Sequence, residues 1–320
     1  MLSYILRRIL STLPVMAIVA LLVFSLLYIA PGDPAAVIAG DQASPADVER
    51  IRQSLGLDEP ILVQFWDYMV GVFTRFDLGT SIFQNNEPVA EIIFDRLPAT
   101  AFLVVGAVIL WIAVAIPVGV ISAVRRRSLL DRTTMIATLT LVSAPVFWLG
   151  LVALYLFAND VGVFPIFPGI GSYSSADDFL ERFASMILPW VVLASATAAI
   201  YARYVRSQMI DVMSEDYIRT ARAKGLSERR VVLKHGLRSA LTPIVTLLGL
   251  DIGLLLAGNA ILTETVFVIP GIGNELYTAI NKSDYELIQG IVLFGAFFIV
   301  FANLIVDIVY AYLDPRVRYE

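Results

Sequence analysis

Six stretches of the chain are almost unbroken in apolar residues: about 9–30, 99–124, 134–158, 186–204, 241–268 and 287–313. A helix rising 1.5 Å per residue needs about 20 such residues to cross a hydrocarbon core of roughly 30 Å. The pattern therefore predicts six membrane helices. The polar stretches between them carry periodicities of their own. Pro31-Gly32-Asp33-Pro34 is a breaker cluster that ends the first apolar run. Ser44-Pro45-Ala46-Asp47 reads as an N-cap, with Pro at the first helical position and an acid in the first turn. Val48, Ile51 and Leu55 then share a face, and Gly56 stands where that helix should stop. A second amphipathic helix is expected after Pro60, with Leu62, Phe65, Met69 and Val72 along one side. Its aromatics, Phe65, Trp66 and Tyr68, suit either the lipid headgroup layer or a packed lid.

The polar stretch 203–238 differs from the others in being long, basic and helix-prone. Ser214 is placed to cap a helix whose first turn holds Glu215 and Asp216, both favourable at the positive end of the helix dipole. Lys224 falls in the last turn, and Gly225 occupies the position where a left-handed residue commonly ends a helix. Ser227 and Glu228 start a second helix that runs toward Pro243. The expected product is helix, glycine turn, helix, with Arg219, Arg222, Arg229, Arg230 and Lys234 available. A basic face of this kind suits anionic lipid or a protein partner, and spacing alone leaves both open.

Charge gives these elements an expected orientation. Stretch 203–238 carries nine Lys/Arg against four acids, and Arg125, Arg126, Arg127 and Arg132 cluster after the second run. Between the first two runs the balance reverses, with four Arg against eleven acids in 31–98. Stretch 159–183 has only Arg182 against four acids, and 264–286 has only Lys282 against four. By the positive-inside rule both termini and both basic loops are expected in the cytoplasm. The composition agrees with an integral membrane protein, since only 16% of residues are charged and mean hydropathy is +0.78. Arg7 and Arg8 precede an apolar run too long for a secretory leader, so that run reads as a retained anchor.

Candidate chemistry is sparse. The absence of Cys excludes thiol catalysis, and a lone His235 argues against a histidine-based metal or acid–base site. No Walker phosphate loop occurs, and nothing suggests nucleic-acid binding. Ile269-Pro270-Gly271-Ile272-Gly273 reads as a turn re-entering the bundle or capping the fifth helix rather than as a phosphate cradle. Pro117, Pro145 and Pro189 lie inside the second, third and fourth runs, where they permit kinks. Asp251 lies within the fifth run and Asp307 in the sixth, both costly in lipid. For Asp251 two readings stay open, a cavity-lining acid that meets a cationic substrate group and a helix-to-helix hydrogen bond. Asp307 suits a bond to a neighbouring loop.

Against this background the stretch from Asp216 to Pro243, DYIRTARAKGLSERRVVLKHGLRSALTP, resembles the cytoplasmic coupling loop of ABC-importer permeases of the dipeptide, oligopeptide and nickel branch. Aligned on Gly225, the family's E-A-A triplet falls on Arg219-Thr220-Ala221 and its later element on His235-Gly236-Leu237-Arg238. These departures are the form that branch usually takes. Further similar elements follow in order: Tyr4-Ile5-Leu6-Arg7-Arg8, Pro31-Gly32-Asp33-Pro34, Leu55-Gly56-Leu57-Asp58 and Asp77-Leu78-Gly79-Thr80-Ser81. The Pro270-Gly271-Ile272-Gly273 element and the tail from Asp314 to Tyr319 complete the set. The long segment before the second run looks like that of the first, "B"-type, permease of such systems.

The resemblance implies an all-α, type I ABC importer permease fold of six transmembrane helices, multi-pass in a bacterial plasma membrane. Residues 1–30 would be the first span and 31–94 an extracytoplasmic domain. Residues 95–313 would form the transmembrane core and 314–320 a cytoplasmic tail. Glu215, Asp216, Tyr217, Ile218, Arg219, Thr220, Ala221, Arg222, Ala223, Lys224 and Gly225 would couple the chain to an ATP-binding subunit. Asp251 is the candidate for the substrate path. Implied partners are a second, homologous permease, one or two ATP-binding subunits, an extracytoplasmic binding protein and membrane lipid. ATP and Mg would be bound by the partner subunits and no cofactor by this chain, which would not itself be an enzyme. Substrates in the branch include di- and oligopeptides, nickel chelates and glutathione. An ion-coupled secondary transporter using Asp251 is the alternative class, opposed by the lack of paired broken helices in repeated halves.

Overall fold

The computed structural model describes residues 2–29, 33–39, 43–54 and 56–313. The tail motif from Asp314 onward lies outside them, as do Pro31-Gly32 and the side chain of Asp307. The described chain is helical apart from one two-stranded ribbon: α1 (Leu2–Ile29), α2 (Pro34–Ala39), α3 (Pro45–Ser54), α4 (Ile61–Val70), β1 (Thr80–Ser81), β2 (Glu87–Pro88) and α5 (Val89–Val124) come first. There follow α6 (Leu129–Ser143), α7 (Val146–Phe157), α8 (Phe179–Val212), α9 (Asp216–Ala223), the short α10 (Glu228–Arg230) and α11 (Leu237–Leu254). The described chain ends with α12 (Ile261–Phe267), α13 (Ile272–Lys282) and α14 (Tyr285–Leu313).

Four continuous helical stretches are long and apolar enough to cross a membrane: Val89–Val124, Phe179–Val212, Glu228–Gly258 and Tyr285–Ile305. Leu10–Ser25 of α1 is a shorter apolar helix. The third apolar run departs from expectation. It is no single kinked helix but two, α6 and α7, bent by 102°. Pro145 stands at the N-cap of α7, and Ala144 before it is extended (φ −85°, ψ 127°). A proline forces its predecessor out of the helical region, and here nothing restores the helix across the break. Pro117 and Pro189, by contrast, sit inside continuous helices. The fifth run also breaks, at Gly258, whose φ of 101° only glycine adopts without strain. Helix breaks are therefore present in two runs, the third and the fifth.

α5 and α8 form the central seam. They meet through small residues, Ala99, Ala107, Ala115, Ala194, Ala198 and Ala202, that let the backbones approach closely. Gly106 lies under the Trp190 ring, whose indole N–H donates to the Phe102 carbonyl at 3.1 Å. A second layer brings α7 and α12 onto one half of this seam and α11 onto the other. α14 runs beside α11 and α1.

The segment 31–94 contains helices at the two expected places, but on α4 Leu62 is exposed and does not join the packed side of Phe65, Met69 and Val72, because Tyr68 takes the place on Phe24 beside Phe65. Ser44 caps α3 by accepting from the Asp47 amide, and its hydroxyl holds the Asp47 carboxyl below the ordinary carboxylate range. Beyond α4 the chain is clamped to the start of α14. Ser81 donates to buried Asp284, and the Thr80 amide donates to Glu286 at 2.6 Å. Gln84 and Arg96 both reach Glu275 of α13, at 2.6 and 2.9 Å. The Asp77–Ser81 motif thus fastens the entry of α5 to the end of the bundle remote from α9.

The candidate coupling surface

α9 sits on the chain between α8 and α11 and is fixed from within. Its buried residues, Ile218 and Ala221, pack with Val231 of the following turn, and Met213 and Leu226 close the cluster. The 3-residue spacing from Ile218 to Ala221 puts both on one helix face. The opposite face, with Asp216, Tyr217, Arg219, Thr220, Ala223 and Lys224, is exposed. Of the eleven expected coupling residues, Ile218 and Ala221 therefore anchor the helix, and the others form its free surface.

The two ends of α9 differ in how closely they follow the sequence reading. At the C-terminal end, Gly225 has φ +77° and its amide donates to Arg222 O at 2.9 Å, while the Leu226 amide reaches back to Ala221 O at 3.4 Å. This pair of bonds is the Schellman arrangement, completed by the apolar contact of Leu226 with the α9 anchor. A Cβ at Gly225 would meet nothing within 4 Å, so glycine is required there by backbone conformation and not by crowding. At the N-terminal end Ser214 is not the cap. Its hydroxyl donates to Asp211 O at 2.6 Å, finishing α8, and Glu215 stands at the N-cap without a side-chain bond. The reason is length: α8 continues to Val212, eight residues beyond the expected end of the fourth run at 204, and draws Ser214 into its own last turn.

Beyond Gly225, Ser227 begins α10 but makes no side-chain cap bond, and α10 has only three residues. The chain then passes through a wide helical turn of π geometry, Val231–Gly236, directly into α11. Past the Gly225 turn, the backbone that follows α9 is consequently helical without interruption into the long apolar helix α11. Across the glycine turn Arg222 and Glu228 pair at 2.6 Å. Helices α6 and α8 are also tied together at this end. Arg206 of α8 holds the buried Asp131 with two bonds, of 2.7 and 2.9 Å, and Asp131 further accepts from the Arg127 amide at 2.9 Å. A cleft of about 550 Å³ opens between the end of α5 (Ala123, Val124) and the α9–α11 loop (Arg222, Glu228, Arg229, Leu233).

The second candidate, Asp251, is half-buried on α11 and accepts a hydrogen bond from the Tyr201 hydroxyl of α8. Tyr201 in turn lies 5.7 Å from Trp111, ring to ring. Glu264 is fully buried, accepts from Thr100 of α5 at 2.7 Å and from the Asn274 amide of α13 at 2.9 Å. The Thr100 hydroxyl also accepts from the Ile272 amide at 2.8 Å. The Pro270-Gly271-Ile272-Gly273 turn thus caps α13, at Gly271, and closes over a carboxylate. A Cβ at Gly271 would lie 2.3 Å from that carboxylate. An acid next to the start of a helix is a readable signal, but that Glu264 and α13 meet follows only from the break at Gly258. Among the described residues no cluster of His, Asp and Glu fit to hold a metal is present.

The whole length of the chain matches known permeases. Residues 115–319 match the family described as binding-protein-dependent transport system inner membrane component, and residues 1–104 match its N-terminal membrane component. The glutathione transport system permease protein GsiC of Salmonella typhimurium is 41% identical over 320 residues, covering all of both chains. The putative peptide transport system permease protein BAB2_1050 of Brucella abortus is 43% identical, again over the full length of both. Components of this kind work with separate ATP-binding and substrate-binding proteins, and ATP is hydrolysed in the former. The chain belongs to the binding-protein-dependent transport system inner membrane components: it is a multi-pass permease subunit of an ATP-driven importer.

Proposed function

We propose that this permease pairs with a second, homologous permease to form a path for short peptides, and that the exposed face of α9 seats in an ATP-binding subunit. The carrying observation is the construction of α9. Its inner face is anchored through Ile218 and Ala221, its end is locked by the Gly225 turn, and it leads through Val231–Gly236 into α11. A push on the free face is therefore transmitted to a spanning helix instead of being lost in a loop. In this reading α9 and both termini face the cytoplasm, α1 and the α6–α7 pair complete a six-span topology, and 31–94 lies on the opposite side, where a binding protein delivers substrate. No cofactor is held by this chain in this reading; ATP and Mg belong to the partner subunits. The two kinds of relative favour a peptide-like substrate, with glutathione, itself a small peptide, as the specific alternative.

Uptake by the assembled transporter, measured beside the amount of chain in the membrane, tests the coupling role. Ala221→Trp unseats the anchor, and Tyr217→Ala with Arg219→Ala strips the free face. Each is expected to reduce uptake at least tenfold while the chain remains in the membrane. Undiminished uptake in the Tyr217/Arg219 variant would exclude α9 as the contact. Titrating the co-purified binding protein with dipeptides and with glutathione decides the substrate class.

A further inference from the structure

We infer that α4 and the turn after it form a membrane-interface anchor, with the outward face of this segment set against lipid acyl chains in the leaflet remote from α9. The inward face is accounted for. Phe65 and Tyr68 pack on Phe24 of α1, with ring centroids 5.4 and 5.7 Å away, and Val72 joins Met16, Ala20 and Leu293 in a buried cluster. The outward face is apolar and bare: Leu62 is 81% exposed, Trp66 68%, Phe73 45% and Phe76 71%. Leu62 and Trp66, four residues apart, share that face, and the π turn Gly71–Arg75 carries it on.

Depth identifies what covers it. α1 and α14 run antiparallel, since Gln289 near the start of α14 donates to Val23 near the end of α1. Leu293 lies seven residues beyond Glu286, roughly 10 Å further along the helix, and Ala20 lies nine residues short of Ile29, roughly 13 Å from that end. Val72 packs at this level, so the segment sits alongside two apolar helices and well below their polar ends. The same helices present bare apolar side chains around it, Ile18, Leu21 and Leu22 on α1 and Phe297 on α14. The outward face of α4 continues that surface. An interfacial helix sinks about 5–10 Å below the headgroups, and tryptophan favours that layer. Arg75, exposed at the end of the π turn, has the reach to turn toward the headgroups. The inference does not depend on which substrate is carried.

The absence of Cys makes the test direct. Leu62→Cys, Trp66→Cys and Phe73→Cys, each spin-labelled, are read in the assembled transporter reconstituted in phosphatidylethanolamine–phosphatidylglycerol vesicles, with Arg50→Cys on α3 as the aqueous control. Power saturation against oxygen and a water-soluble nickel chelate is expected to give at least fivefold higher oxygen-to-nickel ratios at the three α4 sites than at position 50. Ratios equal to the control would place the face in water. Low accessibility to both reagents would place it under another protein chain. Either result overturns the inference.

Discussion

At the residue scale, Asp251 shows how a costly group in a membrane helix is satisfied. Its bond from Tyr201 joins α11 to α8 and gives the carboxylate the partner that its position demands. If the pair is a brace, Asp251→Asn and Tyr201→Phe should each lower the melting temperature of the purified transporter, and the double variant should lose little more than either alone. Hydrogen bonds between membrane helices contribute about 0.6 kcal/mol on average and up to about 2. An Asp251→Asn variant of unchanged stability but altered peptide preference would instead return the residue to the substrate path. The ion pair of Arg206 with Asp131 belongs to a stronger class, because Asp131 is buried and takes two bonds from one guanidinium. Arg206→Gln strands that carboxylate and is expected to destabilise the fold by about 3 kcal/mol, read from thermal unfolding in detergent.

At the scale of elements, the α5–α8 seam depends on glycine where tryptophan crosses it. A Cβ at Gly106 would fall 1.9 Å from the Trp190 ring, so Gly106→Ala must move the indole and weaken its bond to Phe102 O. A loss of about 1–3 kcal/mol is expected, as for other overpacked cores, again seen as a lowered melting temperature. How far such elements were legible in the sequence follows from the range of the forces that set them. α3, α9 and the Gly225 turn are local: caps, face periodicity and a left-handed glycine lie within ten residues of one another. The breaks at Pro145 and Gly258 were less legible, because a proline or glycine in an apolar run permits both a kink and a sharp bend. Neighbouring helices decide between them. The extension of α5 back to Val89 was hidden for a similar reason: Glu91, Asp95 and Arg96 interrupt the apolar run, yet Ile92 and Ile93 are buried and Arg96 is held by Glu275 of α13. Of the candidate site, the anchoring role of Ile218 and Ala221 was readable from their spacing, whereas the Tyr201 and Thr100 partners come from helices 50 and 164 residues away.

At the scale of the whole molecule, this chain is a permease whose energy source lies elsewhere. The purified chain, reconstituted alone, should hydrolyse no ATP, and adding the cognate ATP-binding subunit should restore hydrolysis that the loaded binding protein then stimulates. Measurable turnover by the isolated chain would contradict that division. The two ends of the molecule are built for different tasks. One carries a pre-shaped helix welded to a span, and the other carries hydrogen-bonded clamps around Asp284, Glu286 and Glu275.

The carboxylate of Glu264 constrains how such a molecule changes shape. It belongs to α12, yet its oxygens are held by Thr100 of α5 and by the amide of Asn274 in α13. Pulling α5 or α13 away would cost a fully buried acid one of its donors, and pulling α12 away would cost it both. They must therefore travel together as a single block, and bending is left to places without such ties. The chain offers one close by: Gly258, at φ 101°, lies within the wide helical turn Leu255–Asn259 that follows α11. A transport cycle in this permease is thus expected to pivot within the fifth apolar run, with the turn over Glu264 carried along as a rigid cap.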